Sequence, residues 1–126
     1  MLNKETILAL SGKRKVKKLH VKAWGGDVFI RGVSAGEMDH IEGMNEAYRK
    51  DPLSVPFHRA TACAYFLSDE SGKRMFGDDD IEKLNELPVA GFTQVFNAGL
   101  AFNQMASIEE LEKNSETTPS DNSGTS

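Results

Sequence analysis

PVAGFTQVFNAGLAFNQMA, residues 88–106, is the stretch on which the fold turns. No charged residue occurs between Leu87 and Ile108. At about 100° per residue, Val89, Phe92, Phe96 and Leu100 fall on one stripe of a helix. Gly91, Val95, Ala98, Phe102 and Met105 fall on nearly the opposite one. A surface helix has one apolar stripe and a charged back. A helix apolar on two sides is either central to the core or buries its second face on another molecule. Full enclosure is hard to achieve in a small domain. The expectation is therefore that Val89, Phe92, Phe96 and Leu100 face the core. Val95, Phe102 and Met105 are then candidate partner-binding residues, and self-association through this helix follows. Gln94, Asn97, Asn103 and Gln104 interrupt the run and argue against a membrane span.

Working outward, Asp78-Asp79-Asp80 suits a helix N-terminus. The spacing of Ile81, Leu84 and Leu87 predicts a helix over 78–87 with these three on its buried side. Pro88 ends it and opens the next. Downstream, Ser107 and Glu110 repeat a capping-box spacing. The segment from Ser115 to Ser126 is rich in Ser, Thr and Asn, with no large apolar residue. Residues 1–113 are expected to form the domain and 114–126 a disordered polar tail.

In the first half, Glu5 to Leu10 is a short apolar patch of about one helical turn. Leu19, Val21 and Ala23 alternate with Lys18, His20, Lys22 and Trp24, the period of a half-buried strand. Gly25-Gly26-Asp27 follows as a turn and Val28 to Val33 as its partner, so a β-hairpin is expected over 15–33. Ser34 and Glu37 form a capping box, and Met38, Ile41, Met44 and Tyr48 continue at helical spacing to a stop at Asp51-Pro52. Gly36 and Gly43 each weaken this helix by up to ~1 kcal/mol relative to Ala. The cluster 68–73 predicts a second hairpin near 62–76, in competition with a helix from Phe57 to Leu67. The fold class expected is α+β: a small single domain with two β-hairpins and three to four helices.

The chain has 126 residues and a formal net charge of −4, with an isoelectric point near 5.4. Such a length holds one modest core. Residues 1–25 carry seven basic side chains and one acid, whereas 26–126 carry eight basic and eighteen acidic ones. This asymmetry suits head-to-tail association or docking on a charged partner; a solvated basic strand face explains it equally well. Net acidity makes nucleic acid an unlikely partner. One cysteine, Cys63, excludes an internal disulfide. No signal peptide is expected, and cytoplasmic residence is the default.

Chemistry is sparse. His20, His40, His58 and Cys63 have no metal-ligand spacing. Ser-Gly-Lys-Arg occurs at 11–14 and again at 71–74 without the glycine that a phosphate loop requires, so both copies read as turns. Asp78-Asp79-Asp80 lacks the alternating ligands of a calcium loop and reads as helix capping. The basic run from Lys13 to Lys18 matches a nucleic-acid patch, and matches equally a strand edge guarded against aggregation. No nucleophile–base pair or carboxylate pair stands out. The expectation is a non-enzyme without cofactor or metal.

The order of these segments carries a resemblance. A basic strand leads into Trp24-Gly25-Gly26-Asp27-Val28-Phe29-Ile30-Arg31, and Ser34-Ala35-Gly36-Glu37 opens a helix. Asp69-Glu70-Ser71-Gly72-Lys73-Arg74-Met75-Phe76, the acidic 78–87 segment, the Phe-rich helix and Glu110-Leu111-Glu112-Lys113-Asn114-Ser115 complete the order. Across most of residues 5–115 this resembles the tail assembly chaperones of long-tailed, lambda-like (siphovirus) bacteriophages. The resemblance implies a non-enzymatic protein that binds the tape measure protein and helps recruit the tail tube protein. It implies work in the host bacterial cytoplasm and absence from the mature virion. It also implies a frameshifted longer form of the chain, made by −1 slippage. Glu112-Lys113-Asn114 fits such a site, because GAA-AAA-AAC contains A-AAA-AAC. The family has no invariant active site, so no site residue is carried over. The rival readings are a small DNA-binding regulator using the basic N-terminal strand, and a minor structural head-tail protein.

Overall fold

The computed structural model describes residues 1–105. Its sheet starts as the alternation dictates. Val16–Val21 (β1) pairs antiparallel with Gly26–Arg31 (β2), from Val16 opposite Arg31 to Val21 opposite Gly26. Lys22–Trp24 forms one 3-10 turn, and Gly25 takes a φ of +69°, a left-handed conformation open to glycine at no steric cost. Strand β1 thus ends earlier than alternation through Trp24 suggests, and the indole is released to fold over the last helix. Leu67–Ser68 (β3) adds to the free edge of β2, with Ile30 opposite Leu67 and Phe29 opposite Ser68, giving the order β1-β2-β3.

Among the described residues five α-helices surround this sheet: Lys4–Leu8 (α1), Ala35–Lys50 (α2), His58–Phe66 (α3), Ile81–Leu84 (α4) and Val89–Phe102 (α5). The capping box of α2 is formed: Ser34 Oγ accepts from the Glu37 amide at 3.1 Å and Glu37 Oε1 from the Ser34 amide at 2.9 Å. Asp51 and Pro52 end that helix. The fold is thus a small α+β domain with a three-stranded antiparallel sheet.

Three expectations are corrected. The second hairpin over 62–76 is replaced by helix α3, and what survives of it is β3 and a single bridge between Ser68 and Arg74. Three alanines between His58 and Phe66 favour helix, and the Asp69 turn leaves too little chain for a paired strand. The 78–87 helix is shorter, a 3-10 turn at Asp78–Asp80 followed by α4, and Leu87 stands half exposed beyond it. The two stripes of α5 are also reassigned. Val89 is 57% exposed, whereas Val95 is fully buried and Met105 is 7% exposed. Helix α5 is central to the core: it packs on α3, on β1 and β2, and on the turn carrying Trp24. Two glycines make this enclosure possible. A Cβ on Gly99 would overlap the ring of Phe66, and one on Gly91 would overlap the Trp24 indole. The core is built from Val21, Ile30, Ile41, Phe66, Leu67, Val95 and Leu100. The second capping box at Ser107, the 114–126 tail and Glu112-Lys113-Asn114 lie outside the described residues.

Candidate functional site

Two uncharged polar residues, Gln94 of α5 and Asn103 at its C-cap, grip the sheet. Gln94 Nε2 donates to the His20 carbonyl at 2.6 Å and its Oε1 accepts from the Lys22 amide at 3.3 Å. Asn103 Oδ1 accepts from the Val33 amide at 2.9 Å, while Nδ2 donates to the carbonyls of Arg31 and Gly99. The two amides clamp opposite ends of the hairpin to one helix. Their role is structural, and it holds Trp24 against α5, edge-on to Phe92 at 5.7 Å.

That placement creates an apolar groove of about 310 Å³. It is lined by Trp24 and Val28 of the hairpin, Leu67 of β3, Met75 and Phe76, and by Leu84, Leu87 and Pro88 from α4 and the chain after it. Trp24, Met75 and Leu87 are exposed large apolar residues, and exposed apolar surface that is contiguous marks an interaction site. Alternation and helical spacing assign Met75 to a paired strand and Leu87 to a buried helix face. The signal for the groove lies in the turns: Gly72, at φ +91°, and Pro88 break both elements before those residues can be covered.

A second cleft, of mixed polarity and about 430 Å³, lies at the other end of the hairpin and is lined by Lys13, Arg14 and Lys15 and by Phe102, Asn103 and Gln104. Of the three candidate partner-binding residues, Phe102 alone offers surface. It is half-buried at this cleft, while Val95 and Met105 belong to the core. The structure therefore does not bring the three together on an outer face.

The titratable groups serve the fold. Asp80 accepts from the Gly77 amide at 2.9 Å, capping the acidic turn. Asp69 Oδ1 accepts from Ser71 N, Ser71 Oγ and Lys73 N, which holds its carboxyl below the usual range. Burial pushes the Cys63 thiol up to about 12, and its Sγ–H faces the Phe92 carbonyl at 3.6 Å. Such a thiol is an inert small hydrophobe at neutral pH. The two Ser-Gly-Lys-Arg copies meet, with Gly72 of the second lying against the Cβ of Arg14 in the first. Among the described residues no group of three or more His, Cys, Asp or Glu is placed to hold a metal ion. No helix among them is long and apolar enough to cross a membrane.

Comparison with protein-family models, with curated proteins and with solved structures gives no match to this chain.

Proposed function

We propose that this chain is a non-enzymatic tail assembly chaperone of a long-tailed bacteriophage or prophage. It binds the tape measure protein, helps recruit tail tube subunits in the host cytoplasm and is left out of the finished virion. The observation that carries the reading is the order of segments along residues 5–115, from the basic strand to the Phe-rich helix and the Glu-Lys-Asn close. An open apolar groove supports it, since a protein that holds an unassembled client needs exposed apolar surface of limited extent. The longer form arises by −1 slippage at Glu112-Lys113-Asn114.

The deciding experiment is co-expression with the long tape measure gene expected downstream. The reading requires that the tape measure protein become soluble and co-elute with this chain, and that purified virions lack it. A tape measure protein that stays insoluble overturns the reading. Detection of this chain in virions favours the head-tail component instead, and a gel shift on random duplex at low salt favours the DNA-binding regulator. Codons that break the heptamer, or no overlapping −1 frame beyond it, remove the frameshift and leave the chaperone standing.

A further inference from the structure

The first twelve residues are an arm without a surface of their own. Helix α1 and the 3-10 turn Ala9–Gly12 contain no buried residue. Leu2, Ile7, Leu8 and Leu10 are all exposed, Ile7 at 51% and Leu8 at 63%. A five-residue helix does not hold in water on its own propensity and takes its stability from packing. The apolar side chains that packing would use are in place and uncovered.

The groove bounded by Trp24, Met75 and Leu87 is the apolar counterpart on the same chain. The segment that carries the groove residues Leu84 and Leu87 is acidic: Asp78, Asp79, Glu82 and Glu86 are exposed there, against one lysine, Lys83. The arm and the strand it leads into carry Lys4, Lys13, Lys15, Lys17 and Lys18, exposed, against one acid, Glu5. Polarity and charge sign are complementary. The arm's conformation is set by local bonds. Asn3 and Thr6 close a capping box, and Arg14 Nη1 donates to the carbonyls of Ser11 at 2.7 Å and Lys13 at 3.0 Å.

We infer that the occupant of the groove is the N-terminal arm, residues 1–12, of a second copy of this chain. Ile7, Leu8 and Leu10 enter between Trp24 and Leu87, with Lys4 and the lysines that follow the arm, Lys13 and Lys15, facing the acidic 78–86 segment. The contact joins two different surfaces, so it is heterologous and propagates head to tail into a ring or an open filament. It stands apart from the phage reading and requires no phage component.

Trp24 is the single tryptophan and lines the groove, so its emission reports occupancy. The full-length chain is followed by sedimentation equilibrium and Trp24 fluorescence over a wide concentration range. Mass is expected to rise with concentration, together with a blue shift of Trp24. The double variant Ile7→Asp with Leu8→Asp touches no buried residue and keeps the wild-type circular dichroism. It is expected to associate roughly a hundredfold more weakly, one factor of ten for each apolar side chain lost. A groove variant, Met75→Glu with Leu87→Glu, alters two exposed side chains and is expected to weaken association to a similar degree. Mixing the two variants restores one good contact and yields heterodimers that grow no further. The proposal fails if the wild-type chain is monomeric throughout, or if the arm variant associates as the wild type does. It fails also if the blue shift is independent of concentration and lost in the arm variant, which places the arm in its own groove.

Discussion

His58 is buried with its Nε2–H donating to Asn45 Oδ1 at 2.7 Å, its ring stacked on Tyr48 at 4.3 Å and edge-on to Phe96. Burial, with Arg59 adding to it, pulls the imidazole from 6.5 down to about 4. The unfolded chain therefore takes up the proton first. The stability tied to neutral His58 is complete above pH 6.5 and is lost as the pH falls toward 4. Allowing for solvent around the ring, the loss is roughly 2 kcal/mol. Denaturant midpoints of the wild type and of His58→Gln at neutral and acidic pH should show the extra acid sensitivity in the wild type alone. Equal slopes would mean the ring titrates normally. A second residue-scale linkage is Arg31, buried on β2, which donates from Nε to the Tyr65 carbonyl at 2.8 Å and from Nη2 to Glu37 Oε2 at 2.7 Å. Burial raises the Glu37 carboxyl, but the Ser34 amide and Arg31 outweigh it, and the net direction is down. Glu37→Ala removes half of the α2 capping box and takes the carboxylate away from buried Arg31, which keeps only neutral acceptors such as the Tyr65 carbonyl. The expected cost is about 3–5 kcal/mol, read as a drop in denaturant midpoint. A change under about 1 kcal/mol would reduce Glu37 to a cap alone.

At the scale of elements, glycines that look alike in the sequence have opposite meanings in the fold. A Cβ added to Gly43 of α2 meets nothing within 4 Å, whereas one on Gly99 of α5 runs into Phe66. Gly43→Ala should stabilise the domain by up to ~1 kcal/mol, through helix propensity alone. Gly99→Ala gains the same propensity, but must move a ring with no exit to solvent, an overpacking cost of about 1–3 kcal/mol. Thermal melts of the two variants should shift in opposite directions, and a rise for both would show that α3 and α5 are not in close contact. This difference also marks what could be read beforehand. The hairpin at 15–33, the boxed start of α2 and its stop at Asp51-Pro52 are local patterns, and they appear where residue spacing places them. The stripes of α5 are not local. Spacing identifies two apolar faces, but which neighbour covers each depends on α3 being a helix and on Trp24 leaving the strand. The polar interruptions Gln94 and Asn103 argue against a membrane span by composition, but their place in the fold has another reason: each is a clamp on a sheet it does not adjoin in sequence. The groove was illegible because it is made of residues that two turns fail to bury.

At the scale of the whole molecule, the uneven charge along the chain becomes an arrangement in space. Lys17 and Lys18 of β1 lie on an edge strand, since among the described residues β1 pairs only with β2. Lysines there block strand-to-strand aggregation and leave the sheet edge unavailable for assembly. The acidic 78–86 segment is the one that supplies Leu84 to the apolar groove and leads into Leu87 and Pro88. Association between arm and groove should therefore draw on both apolar burial and charge, and the two respond oppositely to salt. Apolar burial is unchanged or slightly strengthened by added salt, while exposed charges on facing surfaces are screened once the Debye length falls well below their separation, to about 3 Å at 1 M. Exposed pairs are worth roughly 0.2–1 kcal/mol each, so a few of them across the contact amount to about a tenfold change in association constant. Sedimentation equilibrium in sodium chloride between about 0.05 and 1 M should show association weakening by about that factor and then levelling at the apolar contribution. Lys4→Glu with Lys13→Glu should flatten the low-salt part of the curve and leave the plateau in place, because neither residue is buried. Association that strengthens steadily with salt would mean that the acidic 78–86 segment does not face the arm, and would move the contact to a surface without charge.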